Sequence, residues 1–231
     1  MTRLALAALA TVALAGCGSA SSGSGRATVW ITSDRGAHVL HVGKVPAGLS
    51  AMQGLKRLAK VDTRFGGRYV RAVDGMGEHG QRAWFYYVNG YLADRSASDY
   101  RLRAGDVEWW DFRSWRDPAQ DPVVVGAFPE PFLHGYGGER RRAAVVFESQ
   151  GLRAGALALG KLLHARVVGP GKPRPQDANL LVLRPGPAAT LTLQRSEAVP
   201  SPGSAVTFVY TGNPQRLASR PREFRFRYSV P

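Results

Sequence analysis

Cysteine is nearly absent: the 231 residues contain one, Cys17. A single thiol excludes any disulfide within the chain. Lysine is scarce too, standing at five positions among the 31 basic residues, so arginine carries the positive charge. Carboxylates number only 17, which leaves few candidates for paired acid–base chemistry. Asp106, Glu108 and Asp111 cluster, but alternation along a strand sends Glu108 and Asp111 to opposite faces. The five histidines (His38, His41, His79, His134 and His164) form no metal-spaced pair on one element. His38 and His41 are three apart on an expected strand, and the loop at Glu78 to Gly80 has no nearby partner. No nucleophile elbow, phosphate-binding loop or zinc-protease motif is present. Gly135 to Arg140 is glycine-rich but lacks the Lys-Ser/Thr that a phosphate loop requires. These absences argue against an enzyme and against a metal centre.

The amino terminus has a positive charge at Arg3 and an apolar run from Leu4 to Ala15. That run is too short to span a bilayer and has the form of a secretory signal. It ends in Leu14-Ala15-Gly16-Cys17, small residues before a cysteine, which resembles a bacterial lipobox. The resemblance implies cleavage after residue 16 and lipidation of Cys17. Residues 17–26 then read as a Gly/Ser tether. The expectation is a chain anchored by lipid to the outer, extracytoplasmic face of a membrane, where several acyl chains hold stably. The formal net charge of +14 invites a nucleic-acid partner. The arginines are scattered, however, apart from Glu139 to Ala143 (ERRRA), so no nucleic acid is expected. A basic lipid-tethered protein should lean on anionic lipid or envelope polyanions.

Beyond the tether the chain divides near Arg116 to Pro122 (RDPAQDP), where prolines and aspartates favour a linker. In residues 27–116, Ala27 to Thr32 and Ala37 to Val42 read as a hairpin around the turn SDRG. Ser50 with Gln53 forms a capping box, and Met52, Leu55, Leu58 and Ala59 make the apolar stripe of a helix. Gly67 to Gly75 and Ala83 to Val88 read as strands. Asn89-Gly90 is a turn signal, and a last strand follows Gly105-Asp106. One helix on a mixed sheet is expected, an α+β domain.

These words, in this order, resemble the C-terminal domain of transcobalamins and intrinsic factor and its bacterial relatives of unknown function. The matching words are Trp84, Tyr86 to Gly90 (YYVNG), Tyr100-x-Leu102, Gly105 to Val107 (GDV) and Trp109. The resemblance covers less than half of the chain. It implies a β-grasp-like fold and a binding role, with cobalamin or another corrinoid as the ligand and a membrane transporter as the partner. In the vertebrate proteins a large α/α-barrel closes over the ligand. The rest of this chain is too short to encode one.

Alternation places Trp84, Tyr86 and Val88 on one face of their strand and Phe85, Tyr87 and Asn89 on the other. In the last strand, Val107, Trp109 and Asp111 oppose Glu108, Trp110 and Phe112. Both faces therefore carry aromatics, and one helix covers one face. The other must be covered by the second domain, a partner or a ligand. The candidate ligand residues are Trp84, Tyr86, Tyr87, Asn89, Tyr91, Tyr100, Trp109 and Trp110, with the polar loop from Tyr91 to Asp99 as the first place for contact. Asn89-Gly90 also reads simply as turn chemistry.

Residues 122–231 read as a second small α+β domain of no recognised family. Pro122 to Phe128, Arg142 to Ser149, Asn179 to Arg184, Ala189 to Arg195, Ala205 to Gly212 and Phe224 to Val230 are expected strands. The last should point Phe224, Phe226 and Tyr228 inward. A helix is expected from Leu152, with Ala156, Leu159, Leu162 and Leu163 on its buried side. The functional expectation is a lipid-anchored extracytoplasmic binding protein. The alternative is a non-enzymatic envelope module whose aromatic face packs on another domain or protein.

Overall fold

The computed structural model describes residues 25–116, 121–194 and 200–228. The signal segment, Cys17 and most of the tether lie outside these residues. The described chain forms β1 (Arg26–Ser33), β2 (His38–Pro46), α1 (Ala51–Lys56), β3 (Val61–Arg64), β4 (Tyr69–Val73), β5 (Met76–Gly77), β6 (Arg82–Val88), β7 (Tyr91–Leu92) and β8 (Val107–Ser114). Then come β9 (Ala143–Phe147), α2 (Arg153–Leu162), β10 (Arg166–Val168), β11 (Asn179–Arg184), β12 (Thr190–Leu193), β13 (Thr207–Thr211) and α3 (Pro214–Ser219). This is the expected α+β class.

The first sheet runs β2-β1-β8-β6-β7. β1 lies parallel to β8, and the remaining pairs are antiparallel. Its hydrophobic strands alternate. Val29 and Ile31 face α1, and Trp30 faces away. The capping box forms as the sequence requires: Gln53 N donates to Ser50 Oγ at 3.1 Å, and Ser50 N donates to Gln53 Oε1 at 2.9 Å. The helix is shorter than the apolar stripe suggested. It stops at Lys56, where Arg57 N and Leu58 N turn back onto Gly54 O and Leu55 O. The Asp74 carboxylate accepts from Lys60 N at 2.8 Å and leads the chain into β3, a strand not expected from the sequence. A small sheet, β3-β4-β5, packs over Trp84, whose Nε1 donates to Met76 O at 2.9 Å.

The second sheet runs β10-β9-β11-β13-β12. Four strands are parallel, and β12 is the antiparallel edge. α2 is the crossover between β9 and β10. Its two internal glycines have a packing reason: a Cβ on Gly155 would stand 2.3 Å from Pro214 Cγ of α3, and one on Gly160 would stand 2.5 Å from Val167 Cγ2 of β10. α3 was not expected, although its signal is plain. Asn213 caps it through Gln215 N at 3.0 Å, and Pro214 opens its first turn.

Two expected strands are absent. Val123 to Phe128 is buried, as its apolar character demands, but the stretch forms a 3-10 turn at Val125–Ala127. Its amides bond irregular partners: Val124 N donates to Gly90 O, and Val125 N to Tyr228 O. Phe224 to Val230 is not a strand within its described part. Phe226 adopts φ 65°, which reverses the chain and breaks the alternation. Phe224 packs on Tyr210 of the second half with ring centroids 6.1 Å apart. Phe226 packs on Trp30 of the first, at 5.0 Å.

The halves share one continuous core. Phe128, Phe132 and Tyr136, in the segment joining them, belong to the same buried cluster as α1, Trp110, α2 and Phe208. Phe132 meets Phe208 edge-on at 5.4 Å, and Tyr136 meets Tyr100 at 5.2 Å.

Candidate functional site

The two aromatic faces of the first sheet meet different fates. On one face, Trp30, Tyr87, Val107 and Trp109 form a buried cluster with Val124, Phe226 and Tyr228. The Tyr228 ring stands edge-on to Tyr87 and Trp109, at 5.7 Å and 5.4 Å. Its hydroxyl donates to Asp111 Oδ2 at 2.8 Å. Asp111 also accepts from the Thr32 hydroxyl at 2.6 Å and from Arg35 N and Gly36 N, both at 3.1 Å. Arg113 is almost fully buried on this face. It donates to the Tyr87 hydroxyl at 3.2 Å and lies 3.9 Å over the Phe85 ring. Burial pushes the Tyr87 hydroxyl up to about 12, against the lowering effect of Arg113. Tyr87 and Trp109 thus sit beneath the carboxyl-terminal segment of the second half.

The opposite face is covered by α1 and the small sheet, with Trp84 and Trp110 buried, and is open only beside half-buried Tyr86. Trp84, Tyr86 and Trp110 line a cavity of about 360 Å³ together with Arg68, Arg95 and Ala97. β6 and β8 pair in antiparallel register, so Tyr86 faces Trp110 and Trp84 faces Phe112 across the ladder. Tyr86 and Trp110 stack with centroids 4.8 Å apart and planes 19° from parallel, and Trp84 tilts onto Phe112 at 5.2 Å. The Tyr86 hydroxyl donates to Arg95 O, which ties the strand to the loop after β7. Burial, with Tyr136 and Glu108 nearby, raises the Tyr86 pKa, so the hydroxyl stays protonated. Arg95 lies over the rings of Tyr100 and Tyr136, at 5.6 Å and 5.3 Å. At the rim, Tyr69 lines the cavity and meets Phe65 of the β3–β4 turn edge-on at 6.2 Å. Phe65 is 77% exposed. Phe65 and Tyr69 were not among the candidates: Phe65 lies in a turn with no periodicity to mark it, and Tyr69 opens β4, an expected strand, away from the aromatic strands.

Beneath this wall lies Glu108, fully buried. Its Oε1 accepts from Trp110 Nε1 at 2.5 Å. Its Oε2 has no hydrogen-bond partner among the described residues and faces Gly54 of α1, where a Cβ would stand 2.6 Å away. Burial lifts its pKa well above the ordinary carboxylate range, outweighing the indole hydrogen bond. Burial thus favours the protonated form of Glu108, whose Oε1 fixes the orientation of Trp110.

The remaining candidates serve the frame. Asn89 is fully buried at φ 50°. Its amide donates to Asp106 Oδ1 at 2.8 Å and Gly135 O at 3.0 Å, and its carbonyl accepts from Val107 N at 2.8 Å. All its polar capacity is spent within the chain. Tyr91 is buried and donates to Ser204 O at 2.6 Å. Tyr100 is buried, with its hydroxyl accepting from Gly137 N at 3.0 Å. Burial raises both hydroxyls to about 12. The loop after β7 fares differently, since Ala93, Arg95, Ser96 and Ala97 all border the cavity. Among the described residues, no three His, Cys, Asp or Glu side chains gather as a metal site, and no helix is long and apolar enough to cross a membrane.

Comparison with known proteins bears on this half. Residues 48–114 match the model of a domain of unknown function, DUF4430, a transcobalamin-like family. The matched stretch runs through α1, β6 and β8 and contains Trp84, Tyr86 and Trp110. Among solved structures, a provisionally named metal binding protein from Ruminococcus gnavus ATCC 29149 is similar at 17% identity, with a TM-score of 0.32, over 39% of this chain and 97% of that one. No curated protein matches the chain.

Proposed function

We propose that the protein is a non-enzymatic binding module that holds a small, flat, largely apolar ligand against the Tyr86–Trp110 stack. The observation that carries this reading is the stack itself. Two aromatic rings lie nearly parallel in the wall of an open cavity, while the opposite face of the same strands is sealed from within. About 360 Å³ falls within the range of small-molecule sites, which are apolar clefts with a few placed polar groups. Arg68 and Arg95 are those groups, and exposed Phe65 and Tyr69 extend the apolar surface outward. The transcobalamin-like match over residues 48–114 supports a ligand-capturing role and makes a corrinoid a ligand to test. A whole corrinoid exceeds this cavity, so it would engage by the rim of its macrocycle.

The lipobox-like segment ending at Cys17 supports attachment to the outer face of a membrane, and the family resemblance implies hand-over of the ligand to a membrane transporter. The test is intrinsic tryptophan fluorescence of the protein titrated with cobinamide, cobalamin and small planar aromatics, compared with Tyr86→Ala. Saturable quenching that Tyr86→Ala weakens supports the reading. Absence of any change beyond the optical filter effect at high micromolar ligand refutes it.

A further inference from the structure

The arginine run at Arg140 to Arg142, the longest unbroken run of basic residues in the sequence, does not belong to the aromatic site. It enters the second sheet at the start of β9 and lines a cavity of about 480 Å³ with His164, Arg166 and Pro175. The amino-terminal ends of the parallel strands β9 and β10 place Arg142 and Arg166 side by side in this way, with Arg166 paired in register to Ala144. A second cavity of about 460 Å³ adjoins it, sharing Arg166 and Pro175 and adding Lys172. No carboxylate lines either cavity.

The cations divide by duty. Arg140 donates to Phe132 O and Leu163 O, both at 3.0 Å, and to His164 O at 3.4 Å. It thereby satisfies carbonyls at the end of α2, whose negative pole would otherwise repel an anion. Arg141 spends its Nε on Gly203 O. Arg174, in the adjoining cavity, is paired with Glu148 at 3.2 Å. Arg142, Arg166 and Lys172 form no ion pair with any described carboxylate and donate no side-chain hydrogen bond to a described residue. Their forks and ammonium group remain available.

We propose that this trough binds a small ligand carrying two or more phosphoryl groups, held by Arg142 and Arg166 with Lys172 beyond them. Guanidinium forks match phosphoryl oxygens two at a time. Several uncompensated cations in one concavity call for a multivalent anion rather than a single carboxylate. No Trp, Tyr or Phe lines either cavity, and single-stranded nucleic acid requires such stacking platforms beside the charge. The phosphoryl groups are thus recognised without bases, as in a free polyphosphate or a phosphorylated headgroup.

The full-length protein, titrated calorimetrically with sodium triphosphate, should bind it more tightly than orthophosphate and more weakly as salt rises. Arg142→Glu/Arg166→Glu, both exposed positions, should lower triphosphate affinity by about tenfold or more while leaving quenching at the aromatic cavity unchanged. Vesicles of cardiolipin, which carries two phosphates, and phosphatidylcholine, against phosphatidylcholine alone, separate the sources. Additional binding to the anionic vesicles that triphosphate displaces assigns the phosphoryl site to a headgroup. Three results would each overturn the proposal. They are no triphosphate binding at about 1 mM, equal binding by the double variant, and vesicle binding that triphosphate cannot displace.

Discussion

Replacing Glu108 by Gln removes one ionisable group from the core while keeping its shape. In the unfolded chain this carboxyl titrates near the ordinary glutamate value of about 4.3. In the folded protein, burial holds the proton on to a much higher pH. Above the unfolded value, the native state therefore binds more protons than the unfolded state. The slope of unfolding free energy with pH follows the protons bound unfolded minus those bound native, so it is negative here. Glu108 costs nothing below pH 4 and destabilises progressively as pH rises toward its folded pKa. Each pH unit across that window costs about 1.4 kcal/mol. Glu108→Gln keeps an acceptor for Trp110 Nε1 but places an amide donor near Gly54, at a cost of roughly 1–3 kcal/mol if it stays unpaired. The variant should thus be equal to or less stable than the parent near pH 4. It should gain on the parent as pH rises above the unfolded carboxyl value of about 4.3. Urea unfolding of both proteins at several pH values measures the difference directly. A stability difference that stays constant from pH 4 to pH 8 would refute the reading of Glu108 as a neutral buried acid.

Two further substitutions probe the frame around the cavity. Gly54→Ala improves helix propensity by roughly 1 kcal/mol. It also drives a Cβ to within 2.6 Å of Glu108 Oε2 and 2.9 Å of Leu102 Cδ1, and overpacking of this kind costs about 1–3 kcal/mol. Thermal unfolding should show a net loss that largely disappears when Glu108 is also changed to Ala. Tyr228→Phe deletes one of the donors to Asp111, for which a hydrogen bond to a charged group is worth about 1.5–3 kcal/mol. Because Thr32, Arg35 and Gly36 still serve that carboxylate, the loss should fall at the low end. Chemical denaturation checks it, and ligand quenching at Tyr86–Trp110 should not change.

Much of the first half is legible in its sequence because its signals are local. Ser50 and Gln53 specify the cap, and Asn89-Gly90 specifies a turn. Strand alternation alone separates Trp84, Tyr86 and Trp110 from Tyr87 and Trp109, and the structure places those two sets on opposite faces. Position within a face is not local. Asn89, Tyr91 and Tyr100 have the residue types of a binding surface, yet Gly135, Ser204 and Gly137 consume their polar groups from far along the chain. Phe224 to Val230 is the sharpest divergence. Its alternation is that of a strand, but Phe226 turns left-handed. The aromatics then serve two cores, Phe224 one and Phe226 with Tyr228 the other. Nothing within seven residues encodes a contact with Trp30.

Polar demand explains why one aromatic face is sealed throughout while the reverse, largely covered by α1 and the small sheet, keeps a cavity beside Tyr86. Asp111 and Arg113 of β8 lie on the closed face, and charges cannot be buried there without partners. Two segments bring them: the carboxyl-terminal one supplies the Tyr228 hydroxyl for Asp111, and the connection after β8 supplies Asp121 within 3.7 Å of Arg113. The cover is therefore specified by hydrogen bonds as well as by apolar area, and a ligand could not readily replace it. On the other face the only carboxylate of β8 is Glu108. Burial favours its protonated form, and only its Oε1 is partnered, along its own strand through Trp110. That face carries no buried charge of β8 that a covering segment must pair, although Glu108 Oε2 is left without a partner among the described residues. What it offers is the Tyr86–Trp110 stack, with area to bury and arginines at the edge. A surface with apolar area to cover and no charge to neutralise suits an exchangeable, uncharged planar ligand better than a permanent protein partner.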